Sequence, residues 1–244
     1  MNDRNVAGEM TAPMVQLRSG RLIDISLELD EKVFKMQVME GFTRDMQFQL
    51  EVLKDHESGL KQMVRGVHMR LHAGSHIDAP EHFLKGGAQV HQIPLDTFIG
   101  DCVVADFSDK LPAKGITVED LEERVAPKLR PGDRLLLRTD CNDRYHEMEL
   151  EAWKKTTPWV TPDGLQWIIK RKIPLVGVDF FHGARQPGSG REGAFSEQLL
   201  KNNVIVLSYI QNLRQITKDR VTLMCFPLRM VGAEASPLRA VVIE

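Results

Sequence analysis

The chain has 244 residues, of which 42% are hydrophobic and 27% are charged, as in an ordinary soluble globular protein. Its 32 basic and 34 acidic residues are intermixed and nearly balance, so neither nucleic acid nor a membrane surface is expected as a partner. The three cysteines are far apart and form no C-x-x-C pair, which favours a reducing, cytoplasmic location without disulfides. Residues 1–20 lack the basic start and apolar run of a signal peptide, and we predict a flexible N-terminal arm there.

The first half of the chain is rich in predicted strands. A first strand is expected over 21–29, and apolar residues alternate in 46–53 and again in 67–72, which predicts a hairpin. A buried strand over 101–107 is followed by a predicted helix over 117–129. Thr117 is the expected N-cap of this helix, and Asp120 three residues later completes a near capping box.

The second half of the chain alternates helix and strand. Helices are predicted over 161–172, where Thr161 and Pro162 mark the start, and over 191–203. The predicted strands cover 133–139, 174–180, 204–210, 220–226 and 238–244. This order of elements predicts an α/β protein with a mixed sheet, in a single domain over 21–244.

The stretch RLHAGSHIDAPEHF, residues 70–83, carries the candidate functional residues. Its four even-numbered potential ligands are His72, His76, Asp78 and His82. Alternate residues of an extended chain face one side, so extended backbone would place all four groups on one face. A helix is disfavoured because Gly74 and Pro80 are poor helix-interior residues. The spacing therefore predicts an extended segment with one metal-binding face.

Two imidazoles and one carboxylate, from His72, His76 and Asp78, form a common ligand set for one divalent ion, Mn²⁺ or Zn²⁺. Three protein ligands leave positions for water and substrate, as catalytic sites do and structural sites do not. A metal in such a site lowers the pKa of its bound water towards about 7. His82 lies just past the ligands and is placed to act as general base and then as general acid.

The segment HAGSHIDAPEH, residues 72–82, resembles the H-x-G-T-H-x-D-x-P-x-H signature of the cyclase family of metal-dependent hydrolases, which includes kynurenine formamidase and isatin hydrolase. Ser75 stands where threonine is usual and keeps the hydroxyl. Further segments that resemble the family are 22–29, 133–140, 174–180 and 226–244. The resemblance implies a swivelling β/β/α-type fold, metal-dependent hydrolysis of an amide or similar bond, and a homodimer or homotetramer. It also implies metal ligation by His72, His76 and Asp78, with His82 as the acid and base.

The chain departs from the formamidase-like members of this family at two positions. Those members carry a further histidine in the helix corresponding to 191–203 and a glutamate in the strand corresponding to 204–210, which together bind a second metal. Here Ser196 and Glu197 lie near the first position and Ser208 lies at the second, so a single metal is expected. The candidate substrate contacts are Phe83, His182, Glu197 and Ser208. An ordinary core, loop or surface role is the alternative for Phe83, His182 and Glu197.

The sequence thus favours a metal-dependent hydrolase that opens a small cyclic amide or cleaves a formamide, with a small molecule as substrate. Two alternatives stay open. One is a metal-dependent cyclase or dehydratase acting on a polyketide-like or hydroxy-acid substrate. The other is a non-catalytic relative that binds a metal or ligand, which the presence of His82 disfavours because a pure binding site needs no proton shuttle.

Overall fold

The computed structural model describes residues 20–29, 48–59, 61–147, 155–182 and 194–244. The predicted N-terminal arm therefore lies outside the described residues, apart from Gly20. Among the described residues no helix is long and apolar enough to cross a membrane.

Thirteen strands and three α-helices are formed by the described residues. The strands are β1 Leu22–Asp24, β2 Phe48–Lys54, β3 Val64–Met69, β4 His76–Asp78, β5 Ile99–Asp106, β6 Gly115–Ile116, β7 Arg134–Arg138, β8 Trp159–Val160, β9 Leu175–Val178, β10 Ile205–Ser208, β11 Arg220–Met224, β12 Ala235–Pro237 and β13 Val241–Ile243. The helices are α1 Val118–Arg124, α2 Pro162–Lys170 and α3 Ala194–Lys201.

Nine of the described strands form one mixed sheet in the order β1-β13-β11-β5-β7-β9-β10-β4-β12. The central strands β5, β7, β9 and β10 run parallel, and antiparallel strands extend the sheet on both sides. Strands β2 and β3 form the predicted hairpin, in which Leu50 pairs with Val67. The structure confirms the prediction of an α/β, swivelling β/β/α-type single domain with a mixed sheet.

The core lies on both faces of this sheet. Val103 of β5 and Leu135 of β7 join the cluster on the helix side, whereas Cys102 and Leu136 join the cluster on the opposite side. Burial on both faces explains why the central strands are continuous apolar runs rather than alternating ones. The cysteines Cys102, Cys141 and Cys225 are free and buried in this core.

The helix starts follow the sequence signals, and the helix ends do not. Thr117 Oγ1 accepts a hydrogen bond from Asp120 N at 3.3 Å, and Asp120 Oδ2 accepts one from Thr117 N at 2.8 Å, so the capping box is complete. Thr161 Oγ1 likewise accepts from Gly164 N at 3.3 Å. Helix α1 ends at Arg124, earlier than predicted, because Pro127 disfavours helical backbone at the residue before it.

Two strand predictions are corrected by the structure. Strand β12 is not among the predicted strands; it contains Pro237 and lies at the sheet edge, where proline is tolerated. The segment 72–82 is not one extended run. Only His76–Asp78 is a strand, whereas 72–75 form turns and Pro80–His82 form a 3-10 helix.

Candidate metal centre

The site is built on strand β4, which lies between β10 and β12 near one edge of the sheet. Ile77 packs into the core cluster opposite the helices. Because neighbouring side chains of a strand point to opposite faces, His76 and Asp78 face the helix side. Both are buried, each with 2% of its surface exposed.

The structure brings the four sequence-predicted residues together. His72 Nδ1 lies 2.8 Å from Asp78 Oδ1, and His76 Nε2 lies 3.2 Å from the same oxygen. The ring centroids of His72 and His82 are 4.3 Å apart. The expected reason was wrong, because turns and a 3-10 helix, rather than continuous extended backbone, bring His72 and His82 to the strand.

Gly74 makes the turn before β4 possible. Its φ of +62° is readily adopted only by glycine. A Cβ at this position would also overlap the side chain of Leu29. The turn returns His72 towards β4, so that its ring meets that of His76 edge-on at 5.1 Å.

The outer nitrogen of each of these two histidines has an acceptor. His76 Nδ1 lies 2.8 Å from the carbonyl oxygen of Gly74, which can only accept, so Nδ1 carries the proton and Nε2 presents its lone pair towards Asp78. His72 Nε2 lies 3.2 Å from Glu234 Oε1, which leaves Nδ1 facing Asp78. Metal-ligating histidines are held in this way, with the second ring nitrogen donating to a carbonyl or carboxylate.

The Asp78 carboxylate completes the arrangement. Among the described residues its buried Oδ1 accepts no hydrogen bond of good geometry, although two ring nitrogens lie close to it. Its Oδ2 accepts a hydrogen bond from Ser208 Oγ at 3.2 Å. One unsatisfied carboxylate oxygen and two imidazole lone pairs that converge on it fit a divalent cation, since buried polar atoms are otherwise satisfied by hydrogen bonds.

The charges of the site follow from burial and proximity. Burial alone would raise the pKa of the Asp78 carboxyl, but His76 and His72 lower it to well below its usual range. Burial lowers the pKa of His72, yet contacts with Asp78 and Glu234 outweigh it, and the net pKa is raised. For His82 desolvation dominates and the pKa is lowered, so this imidazole is neutral and able to accept a proton near pH 7.

His82 is also close enough to be a ligand. One ligand atom each from His72, Asp78 and His82 lies within 4.8 Å of the others. His82 is exposed, whereas His76 is buried with its outer nitrogen already held. There are thus two candidate ligand sets: the ligand atoms of the set with His82 already lie within 4.8 Å of one another, whereas the orientation of His76 favours the set in which His76 replaces His82.

His182 belongs to a buried chain of hydrogen bonds rather than to an ordinary loop. Its Nε2 lies 2.9 Å from Ser208 Oγ, and its Nδ1 lies 3.0 Å from Ser196 Oγ. The chain runs Ser196–His182–Ser208–Asp78 and ends on the carboxylate that faces the two histidines. Burial lowers the pKa of His182 to about 4, so the ring is neutral. Ser208 thus contacts Asp78 at Oδ2, the oxygen away from the two histidines, and His182 in turn contacts Ser208.

The other two candidate substrate contacts differ from each other. The Phe83 ring lies 4.3 Å from that of His82 and packs against the helix-side core, so it can form a wall beside the shuttle. Glu197 is not the exposed helix carboxylate of the alternative interpretation, because only 6% of it is exposed. Its Oε1 accepts from Lys201 Nζ at 2.6 Å, one helical turn away.

Sequence reasoning missed two residues of the site, Glu234 and Tyr209. Glu234 precedes β12, and the pairing of β12 with β4 places it beside His72. Tyr209 follows β10 and lies 5.7 Å from the His76 ring, centroid to centroid. Burial raises its pKa, so the phenol is neutral. The available signals were the acidic residue in GAEASP and the aromatic residue next to Ser208.

A second group of carboxylates in the described part of the chain is held mostly by protein donors, although Asp143 Oδ2 accepts no hydrogen bond from the described residues. Asp140, Asp143 and Asp179 offer oxygens within 4.8 Å of one another. Arg138 Nε donates to Asp140 Oδ1 at 2.8 Å. Asp179 accepts from Thr139 N at 2.8 Å and from Thr139 Oγ1 at 2.6 Å. This group fixes the loop after β7.

The fold and site together define an α/β protein with a candidate metal centre on strand β4, near one edge of its sheet. A family model described as "Putative cyclase" matches residues 23–183. Since the match covers more than half of the chain, the chain belongs to this family, as the motif predicted.

Curated relatives match most of the chain. Kynurenine formamidase from Bacillus anthracis is 27% identical over 226 residues, which cover 93% of this chain and 99% of the relative. Kynurenine formamidase from Paracidovorax citrulli is 30% identical over 185 residues, covering 73% of this chain and 78% of the relative. The prediction of membership in a family that contains amidohydrolases is confirmed.

Solved structures share the fold. Isatin hydrolase A from Labrenzia aggregata superposes with a TM-score of 0.77 at 22% identity, covering 91% of this chain and 93% of that chain. Isatin hydrolase A from Ralstonia solanacearum gives the same TM-score at 24% identity, covering 91% of both chains.

Proposed function

We propose that this chain is a metal-dependent amidohydrolase that opens a small cyclic amide or cleaves a formamide. The observation that carries the proposal is the convergence of His72 Nδ1 and His76 Nε2 on an Asp78 oxygen without a hydrogen bond. With three protein ligands, the site keeps open positions for water and substrate. The formamidase and isatin hydrolase names of the relatives support the choice of C–N bond.

A divalent ion held by these residues, Mn²⁺ or Zn²⁺, would polarise the substrate carbonyl and make hydroxide available at neutral pH. The remaining tasks fall to the chain. His82, neutral and exposed beside His72, takes a proton from the attacking water and passes it to the leaving nitrogen. Phe83, whose ring lies 4.3 Å from that of His82, forms an apolar wall on one side of the proton shuttle.

A single metal ion is part of the proposal. Near the positions at which formamidase-like members hold a second ion, this chain carries Ser196 and Glu197 on the helix and Ser208 on the strand, and Glu197 is paired with Lys201. Both serines lie within hydrogen-bonding distance of His182, and Ser208 also donates to Asp78. These two hydroxyls hold His182 and Asp78 in place at the proposed single-metal site. They are not carboxylate or imidazole ligands for a second ion.

The test combines metal counting with product analysis. Purified protein loaded with Mn²⁺ or Zn²⁺ is expected to hold one ion per chain. It is also expected to hydrolyse formanilide or isatin, with activity lost on addition of a chelator. Hydrolysis in ¹⁸O-labelled water places the label in the new carboxylate. Protein that stays metal-free contradicts the proposal.

Two other outcomes would favour the alternatives. Water elimination from a hydroxy-acid substrate, without label uptake, indicates the cyclase or dehydratase function. Metal binding without turnover of formamides, lactams or imides indicates a non-catalytic relative. The homodimer or homotetramer, the cytoplasmic location and the flexible arm over 1–20 stay predictions of the sequence.

A further inference from the structure

Tyr209 has an unusual backbone conformation for a bulky residue. It follows β10 directly, and its φ is +56°, in the left-handed region that glycine and asparagine adopt far more readily. A bulky residue that keeps this conformation beside a site points to a functional constraint.

The left-handed conformation of Tyr209 interrupts the regular alternation of side chains between the two faces of the sheet. Leu207 packs in the core cluster opposite the helices, and Ser208 reaches His182 and Asp78 on the helix side. Regular alternation would return Tyr209 to the side of Leu207. Instead Tyr209 lies in the helix-side cluster, and it is Ile210 that rejoins the opposite one. Two consecutive side chains, Ser208 and Tyr209, therefore face the site.

Hydrogen bonds to neighbouring segments hold the Tyr209 backbone in this conformation, and one of them comes from the motif segment. Ser75 Oγ donates to the carbonyl oxygen of Tyr209 at 2.7 Å and accepts from Leu27 N at 2.8 Å. Ile210 N donates to the Val178 carbonyl oxygen at 3.3 Å. The peptide after Tyr209 is thus held on both sides, so the hydroxyl at position 75 fixes the aromatic ring as well as the turn.

The Tyr209 ring stands beside the candidate ligand His76. Their centroids are 5.7 Å apart with planes inclined at 36°. His182 lies at the same centroid distance on the Tyr209 ring, and Phe181 lies at 6.4 Å. Tyr209 keeps 8% of its surface exposed. The ring therefore fills space next to His76 that a glycine at this left-handed position would leave open.

We infer that Tyr209 is a specificity-determining residue, whose ring bounds the space beside His76 and limits the width of the ligands that the site admits. This inference rests on the proposed function, since it assumes that a ligand binds at the metal. Hydrolysis of an aryl lactam yields an aryl carboxylate, so benzoate and 2-naphthoate are suitable probes that differ by one fused ring and need no turnover.

The test measures binding of the two carboxylates to Co²⁺-loaded protein through the visible spectrum of the ion. The wild type is expected to bind benzoate about 10-fold more tightly than 2-naphthoate, and Tyr209→Gly to bring the two within about 3-fold. Tyr209→Phe keeps the ring and should keep the wild-type ratio. Asn203→Gly, at another left-handed position with φ +59°, controls for the added glycine and should also keep it.

The outcomes separate this inference from the proposed function. An unchanged benzoate to 2-naphthoate ratio in Co²⁺-loaded Tyr209→Gly overturns the role of Tyr209, and so does a wild type without preference. Absence of formanilide or isatin turnover, with the ratio shifted as expected, overturns the hydrolase proposal and leaves Tyr209 supported. A wild-type chain that takes up no Co²⁺ overturns both.

Discussion

Ser208 and Asp78 meet across the antiparallel pair of β10 and β4, where Ser208 Oγ donates to Asp78 Oδ2 at 3.2 Å. This single hydrogen bond connects the metal-binding carboxylate to the buried ring of His182. It also fixes which carboxylate oxygen faces the two histidines, because Oδ2 is engaged and Oδ1 is not. Ser208 thus orients the carboxylate of the candidate metal centre.

Replacement of Ser208 by alanine should weaken metal binding. The variant removes the hydrogen bond to Asp78 Oδ2 and leaves the carboxylate free to rotate. Loss of such an outer partner typically costs about 10–100-fold in metal affinity. Competition with a chelating dye measures the dissociation constant of Zn²⁺. Ser58→Ala, in an exposed turn with Asp55, is the control. Equal Zn²⁺ affinities of Ser208→Ala and wild type would show that the bond does not orient the ligand.

The roles of His76 and His82 can be separated by metal content. His76→Ala should lose the bound ion, since it removes a buried nitrogen 3.2 Å from Asp78 Oδ1. His82→Ala should keep one ion per chain. Its turnover should fall by about 10²–10⁴-fold, which is the contribution that a general acid and base makes. Metal analysis and kinetics on the same preparations provide both values.

The alternative ligand set predicts the reverse pattern. If His82 were the third ligand beside His72 and Asp78, His82→Ala would lose the ion and His76→Ala would retain it. His68→Ala is a matched control, because His68 is exposed and lies 3.3 Å from Glu51 on the hairpin. It should change neither metal content nor turnover.

Sequence predicted the part of this site that is local in the chain. His72, His76, Asp78 and His82 lie within eleven residues, so their grouping follows from spacing and ligand chemistry whatever their exact backbone. The even spacing of the four residues predicted the right cluster, but the expected alternation of an extended chain holds only along β4. The fold class was also predictable, since the central strands are apolar runs between capped helices.

The distant parts of the site could not be predicted in this way. Glu234 is 162 residues from His72, and their contact depends on the pairing of the edge strand β12 with β4, and no strand was predicted at β12. His182 is buried between α3, which supplies Ser196, and the end of β10, which supplies Ser208. The left-handed backbone of Tyr209 has no signature in the sequence, since the residue type argues against it.

Glu234 should act as the partner that orients His72. Replacement by alanine removes the acceptor of His72 Nε2 and should weaken metal binding by about 10-fold. Glu234→Gln keeps an amide oxygen in reach and should restore most of the affinity. Glu123→Ala, an exposed position on α1, is the control. Isothermal titration with Mn²⁺ checks all three variants, and an alanine variant with wild-type affinity would contradict this role.

Asp179 should make the stability of the fold depend on pH between about 4 and 7. Burial raises its pKa from 3.8 to about 7, although Thr139 and Asp140 donate to the carboxylate. In that interval the folded chain retains a proton that the unfolded chain has released. The free energy of unfolding that this group contributes therefore falls as pH rises.

Asp179→Asn removes this titration and places an amide NH₂ against the donors of Thr139 and Asp140. The variant should be less stable than wild type by about 1–3 kcal/mol near pH 5, where the wild-type carboxyl is protonated. The difference should shrink towards pH 8, because only the wild type loses stability as Asp179 ionises. Urea denaturation at intervals of pH measures it, and titrating histidines cancel because both proteins contain them. Asp96→Asn, at an exposed position, should show no such trend. A difference that stays constant or widens as pH rises would show that Asp179 is ionised throughout this range.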